Sequence, residues 1–132
     1  MKLEFFMPMV PPTVTAQEQQ IHVVNGKPIV HDTPEIAAAR EKLRAHLSKH
    51  RPAEPLDGPL RLISKWLWPC TRKHKNGQWR DTKPDYDNIA KLLGDAMAAE
   101  RFFVNDSRIA SGMVEKFWAD VPGIYVRLEE LT

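Results

Sequence analysis

The stretch Lys83-Pro84-Asp85-Tyr86-Asp87-Asn88-Ile89-Ala90-Lys91 carries the densest set of chemically capable side chains in the chain. At an advance of about 100° per residue, Asp87, Lys91 and Asp95 span roughly 80° of one helix face, and Asp85 lies at or before the first turn. These side chains can converge on one point. Carboxylates within about 4 Å of each other repel by about 4 kcal/mol per pair at an effective dielectric of about 20, so the cluster calls for a neutralising partner. A divalent cation is the natural one. Hard oxygen ligands favour Mg2+, Mn2+ or Ca2+ over softer metals, and Mg2+ typically takes one or two carboxylates and keeps waters for a substrate phosphate.

The segment just before this cluster, Thr71 to Pro84, holds Arg72, Lys73, Lys75, Arg80 and Lys83 around an Asn-Gly pair, with Trp79 among them and Asp81 as its one acid. Cations that grip a phosphate backbone beside acids that grip a metal are what phosphodiester cleavage requires. Trp79 is equally open to stacking on a base and to packing as a core or hairpin aromatic. The acids also have a purely structural reading, in which Asp85 caps the helix, Asp87 complements its dipole and Lys91 is the i+4 partner of Asp87. Two features weigh against that reading: the basic loop directly precedes the acids, and Asn105-Asp106 recurs at a turn beyond the helix.

Several elements must position these residues. Lys2 to Phe6 reads as a strand closed by the proline-rich stretch Met7 to Pro12. Ile21 to Val24 and Pro28 to Val30 flank Asn25-Gly26 as a β-hairpin. Thr33 as N-cap and Pro34 at the first position open a first helix to about Lys49, with an apolar stripe of Ile36, Ala39, Leu43 and Leu47. Leu60 to Trp68 is too apolar for a solvent-facing edge and predicts a central strand. A second helix runs from Asp85 or Tyr86 to about Glu100 on Ile89, Leu92, Leu93, Ala96 and Met97, interrupted by Gly94. Ile109 to Trp118 and Ile124 to Leu128 complete the set as strands around a turn at Val121 to Gly123. The expected fold is α+β, a single mixed β-sheet with two main helices packed on it and a hairpin at each end, in one domain over residues 1–132.

The chain has 132 residues, 42% hydrophobic and 27% charged, enough for one ordinary core and far from disordered or fibrous composition. Its net charge of +2 says little, so the placement of the basic residues carries the nucleic-acid argument. Cys70, the single cysteine, cannot form an internal disulfide, and with His74 alone nearby it lacks the ligands of a zinc site. No apolar run approaches the roughly 20 residues that span a bilayer, and the N-terminus lacks a signal-peptide core, so a cytoplasmic protein is expected.

The run KPDYDNIAKLLGDAM, followed by FFVNDSRIASGMVEKFW, resembles the signature of the RusA family of Holliday junction resolvases. That signature has two aspartates one residue apart, Asn after the second, Lys four residues on from it, Asp eight on, and an acidic pair at a turn. Asp85, Asp87, Asn88, Lys91, Asp95 and Asp106 fill those places. The resemblance is strong from Lys83 to Trp118; Pro11-Pro12 and Gly58-Pro59 fit more loosely. It implies a RusA-like fold, a metal-binding triad of Asp85, Asp87 and Asp106, a catalytic Lys91, and supporting roles for Asn88, Asp95 and Lys116. Where the family commonly has Asp-Asp at the turn, this chain has Asn105-Asp106.

The function so implied is a Mg2+-dependent endonuclease, a homodimer that nicks a four-way DNA junction in two strands of like polarity during recombination and repair, encoded by a bacterium or a prophage. Arg72, Lys73, Lys75, Arg80 and Lys83 are the expected phosphate contacts, and Phe102, Phe103 and Trp118 are candidates for either the dimer interface or the core. Two readings of other classes stand beside it. One is a non-catalytic DNA-binding module of the same fold, which intact acids disfavour; the other is a metal-dependent nucleotide phosphohydrolase, which would scarcely need the basic loop.

Overall fold

A computed structural model describes residues 1–14, 20–31 and 33–132. Strand β1 (Lys2–Pro8) is followed by β2 (Gln20–Val24) and β3 (Lys27–His31), helix α1 (Pro34–Ser48), strand β4 (Leu60–Pro69) and helix α2 (Tyr86–Ala99). A short 3-10 turn over Asp106–Arg108 leads into β5 (Ile109–Ala119), and β6 (Gly123–Glu130) closes the chain. The main sheet has four strands in the order β1-β6-β4-β5, and β2 and β3 form a separate two-stranded sheet. Strand β4 is antiparallel to β6 and parallel to β5, so the sheet is mixed as expected. Parallel neighbours need a long crossover connection, and the segment containing α2 supplies it.

Strand β4 is central because its inward face is apolar along its length: Leu60, Leu62, Trp66 and Trp68 are buried, with Ser64 between them. They pack with Ile124, Val126 and Leu128 of β6 and with Met7 of β1. The helices cover this face through Leu43 and Leu47 of α1 and through Ile89, Leu93 and Met97 of α2. The Thr33 hydroxyl accepts from the Ile36 amide at 3.3 Å and caps α1 as its sequence implies. Asn25 and Gly26 both have positive φ, 53° and 77°, the combination that lets a two-residue turn follow the twist of β2 and β3. Strand β1 runs two residues past Phe6 to Pro8, which an edge strand tolerates because a proline's missing donor removes no ladder bond on the open side.

Two expectations are corrected. The last two strands do not form a hairpin: β4 lies between β5 and β6, pairing Leu67 with both Phe117 and Gly123. Two strand spacings are about 10 Å, a distance that the residues joining Ala119 to Gly123 can cross, and burial of the apolar β4 favours the arrangement. The second correction concerns Phe102 and Phe103, both 0% exposed, and Trp118, 8% exposed: these three are core residues of the single chain and offer no interface surface.

Candidate active site

Asp85 stands at the N-cap of α2 with extended backbone, φ −69° and ψ 145°, yet its side chain makes no capping hydrogen bond. An aspartate there ordinarily accepts from an amide of the first turn. Its carboxylate instead lines a recess of about 430 Å³ together with Asp81, Thr82, Lys83, Tyr86, Asp87 and Lys116. Asp85 and Asp87 are exposed, and Asn88 is half-buried with its amide donating to Asp87 Oδ1 at 3.0 Å.

The loop before α2 is fastened from β5. Lys116 Nζ donates to the carbonyl oxygens of both Thr82 and Pro84 at 2.6 Å. Burial lowers the pKa of this amine from the lysine norm, and the nearby Arg80 guanidinium adds to the shift while the Asp85 and Asp81 carboxylates oppose it. Arg80 donates from Nε and Nη2 to the Lys83 carbonyl at 3.1 and 2.5 Å. Its guanidinium lies 4.5 Å from the ring centroids of both Trp68 and Trp118.

A second cluster sits further along α2. Lys91 Nζ is 3.0 Å from Asp95 Oδ1 and 3.1 Å from Asp106 Oδ2. Hydrogen bonds to Asp95 first and Asp106 second raise the Lys91 pKa above its ordinary value, so the amine is charged at neutral pH. The turn carrying Asp106 is capped by Asn105, whose Oδ1 accepts from the Ser107 amide at 2.8 Å. Gly94 faces this turn: a Cβ built there would meet Asp106 Cβ at 3.5 Å and Oδ2 at 3.7 Å, an ordinary contact. Asn105 is thus a cap here, and Gly94 is a site neighbour that helical periodicity flagged only as an interruption.

The expected site residues therefore fall into two groups joined by α2. Asp85, Asp87, Lys83 and Lys116 share the recess, whereas Lys91, Asp95 and Asp106 form the ion-paired group. Lys91 turns to Asp95 and Asp106, and no ion pair joins it to Asp87 among the described residues. Among the described residues, no three His, Cys, Asp or Glu side chains are gathered closely enough to hold one metal ion. The donor chemistry nevertheless fits a hard divalent cation at the recess. Asp85 and Asp87 present two carboxylates there, one of them unused by the cap it could have made, and Mg2+ typically takes one or two.

In the basic loop, Arg72, Lys73, Lys75 and Lys83 are exposed, while Arg80 is half-buried and already bonded. The loop lies along the open edge of β5: the Gly77 amide donates to the Trp118 carbonyl at 2.8 Å and the Arg80 amide to the Lys116 carbonyl at 2.9 Å. Trp79 stacks on Phe117 at 4.5 Å between centroids and remains 64% exposed, so it is a surface aromatic and not part of the core. Cys70 and His74 have other work, the thiol donating to Asp120 at 3.5 Å and the imidazole stacking on Trp118 at 4.3 Å.

Among the described residues, no helix is long and apolar enough to cross a membrane. The family described as Endodeoxyribonuclease RusA matches residues 10–129. A crossover junction endodeoxyribonuclease of Lactococcus phage r1t is 32% identical over 111 residues, 83% of each chain. An uncharacterised protein, YqaN, of Bacillus subtilis strain 168 is 25% identical over 119 residues, 82% of this chain and 83% of its own length. The match spans both helices, strands β4 and β5, all but the last residue of β6 and every acid of the site, and the chain belongs to the RusA family of endodeoxyribonucleases.

Proposed function

We propose that the chain is a structure-selective endonuclease that resolves four-way DNA junctions as a homodimer, by paired symmetric nicks, with Mg2+ or Mn2+ as cofactor. The observation that carries this reading is the juxtaposition in one recess of Asp85 and Asp87 with Lys83 and Lys116, directly beside a loop of exposed cations. Family membership and the crossover junction activity named for the phage relative support the choice of substrate.

Asp85 and Asp87 would hold the ion at the recess, and Asp106, the third acid of the expected set, stands apart from them in the ion pair with Lys91. A divalent cation held at the recess would supply Lewis acidity to the scissile phosphate and would lower the pKa of an attacking water. Lys91, kept charged by Asp95 and Asp106, would place its ammonium to offset the negative charge that develops on the phosphate oxygens. Arg72, Lys73, Lys75 and Lys83 hold the DNA backbone, and Lys116 acts on the loop that presents the acids.

A synthetic four-way junction and a matched duplex, each incubated with Mg2+ or with EDTA, test this. Paired nicks are expected on the junction with Mg2+ alone, and at the Mg2+ concentration that suffices for wild type Asp85→Asn, Asp87→Asn and Asp106→Asn should each abolish them while leaving junction binding intact. An Asp→Asn protein with near-full metal-dependent turnover would remove that residue from the ligand set. The separation of Asp106 from the recess favours, as the second reading, a DNA-binding module without catalysis. Tight junction binding with no nicking under any divalent metal would decide for it.

A further inference from the structure

We infer that Arg80 and Lys116 are positioning residues, a two-cation clasp on the backbone just before α2 that sets where Asp85 and Asp87 stand. The inference rests on the reading of those two acids as metal ligands. Three consecutive carbonyls, those of Thr82, Lys83 and Pro84, accept hydrogen bonds from these two side chains and lead straight into Asp85. Asp81 to Asp85 lie outside every helix and strand, so no ladder holds this segment. Charged donors make hydrogen bonds about twice as strong as neutral ones, and here they take the place of that ladder.

Both cations are anchored on the β4–β5 pair of the main sheet. Lys116 extends from β5, paired in register with Trp66 of the central strand. Arg80 is held between the indoles of Trp68 and Trp118, both buried, while its backbone amide is bonded to Lys116. The planar guanidinium can stack on two rings and fork onto a carbonyl at once; an ammonium cannot. The position of the acids is thereby referred to the β4–β5 pair, independently of the exposed loop tip that carries Arg72, Lys73 and Lys75. This assigns Arg80 a task other than the phosphate contact its basic neighbours suggest.

The test compares the full-length wild type with Lys116→Met and Arg80→Lys, each first shown to be folded by circular dichroism. Hydrogen exchange is read in segment 81–87, Mn2+ binding is measured by calorimetry without DNA, and junction binding is measured in EDTA. The expected result is faster exchange confined to segment 81–87, Mn2+ affinity weakened tenfold or more, and junction affinity and its salt slope unchanged. Should Lys116→Met fail to fold, Arg80→Lys carries the same three measurements, since it keeps the charge and loses only the fork and the stack. Unchanged exchange in both variants overturns the clasp, as does a loss seen only in junction affinity with a shallower salt slope, which is the mark of a phosphate-binding cation. A wild type that binds no Mn2+ refutes the metal reading instead, and the exchange measurement still decides the clasp.

Discussion

Lys91 joins an acid of its own helix to an acid from beyond it. At 3.0 Å from Asp95 and 3.1 Å from Asp106, its one positive charge offsets the mutual repulsion of two carboxylates without cancelling both. Lys91→Met keeps the length of the side chain and removes the charge. It should slow junction nicking by about 10²- to 10³-fold, the cost of removing one preorganised electrostatic group, with junction binding in EDTA retained. Single-turnover rates at saturating Mg2+ measure this, and a variant as fast as wild type would leave Lys91 a structural ion pair. Asp87→Asn differs in kind: it removes a proposed ligand, so raising Mg2+ should recover part of its rate, whereas Lys91→Met should not respond.

Among the elements, α2 carries the acids and α1 braces it. Gly94 is buried in α2, and a Cβ there meets Asp106 only at ordinary contact distance. Gly94→Ala should therefore stabilise the protein by about 0.5–1 kcal/mol through helix propensity, seen as a higher urea midpoint with nicking preserved. Gly94→Leu should displace the Asp106 turn and lose activity. In α1, burial first and the nearby Lys49, Lys42 and His50 next lower the His46 pKa below its usual 6.5. A folded-state value below the unfolded one means that the unfolded chain binds more protons in this window. The His46 contribution is thus complete above pH 6.5 and is lost as pH falls through the lowered folded value. Melting curves between pH 7.5 and 5 should show less acid loss in His46→Gln than in wild type.

For the whole molecule, the arrangement of charge outweighs its net value of +2. Arg72, Lys73 and Lys75 form the exposed tip of the loop beside the recess, while Arg80 is taken up by the two indoles. A triple alanine variant at the three exposed sites should reduce the salt slope of junction binding by about 0.9 for each phosphate no longer neutralised. An unchanged slope would place the DNA elsewhere. One chain carries one set of acids, and two symmetric nicks call for a two-fold pair of chains. Light scattering at micromolar protein should give twice the chain mass. Mixing wild type with excess Asp87→Asn should convert a cruciform plasmid to nicked circles in place of linear product, whereas a single-chain mass at full activity would exclude the dimer.

What the sequence determined by itself is whatever depends on near neighbours. Thr33-Pro34 opens α1, Asn25-Gly26 turns the first hairpin, and the 3.6-residue spacing from Ile89 to Met97 places Asp87, Lys91 and Asp95 along one helix, because caps, turns and helical faces are set within a few residues. The acids, the basic loop and the family they mark were all legible in this way. Tertiary structure alone decided which distant partner each side chain takes. Lys91 reaches Asp106, 15 residues away, in addition to Asp95, Lys116 reaches back 34 residues to Thr82, and Arg80 is drawn between Trp68 and Trp118. Local pattern describes β5 and β6 as successive strands with a short turn, which reads as a hairpin; burial of the apolar β4 inserts it between them. That choice pairs β5 directly with β4 and thereby fixes where Lys116 stands relative to the acids. Strand order and register are global packing decisions, and no local periodicity encodes them.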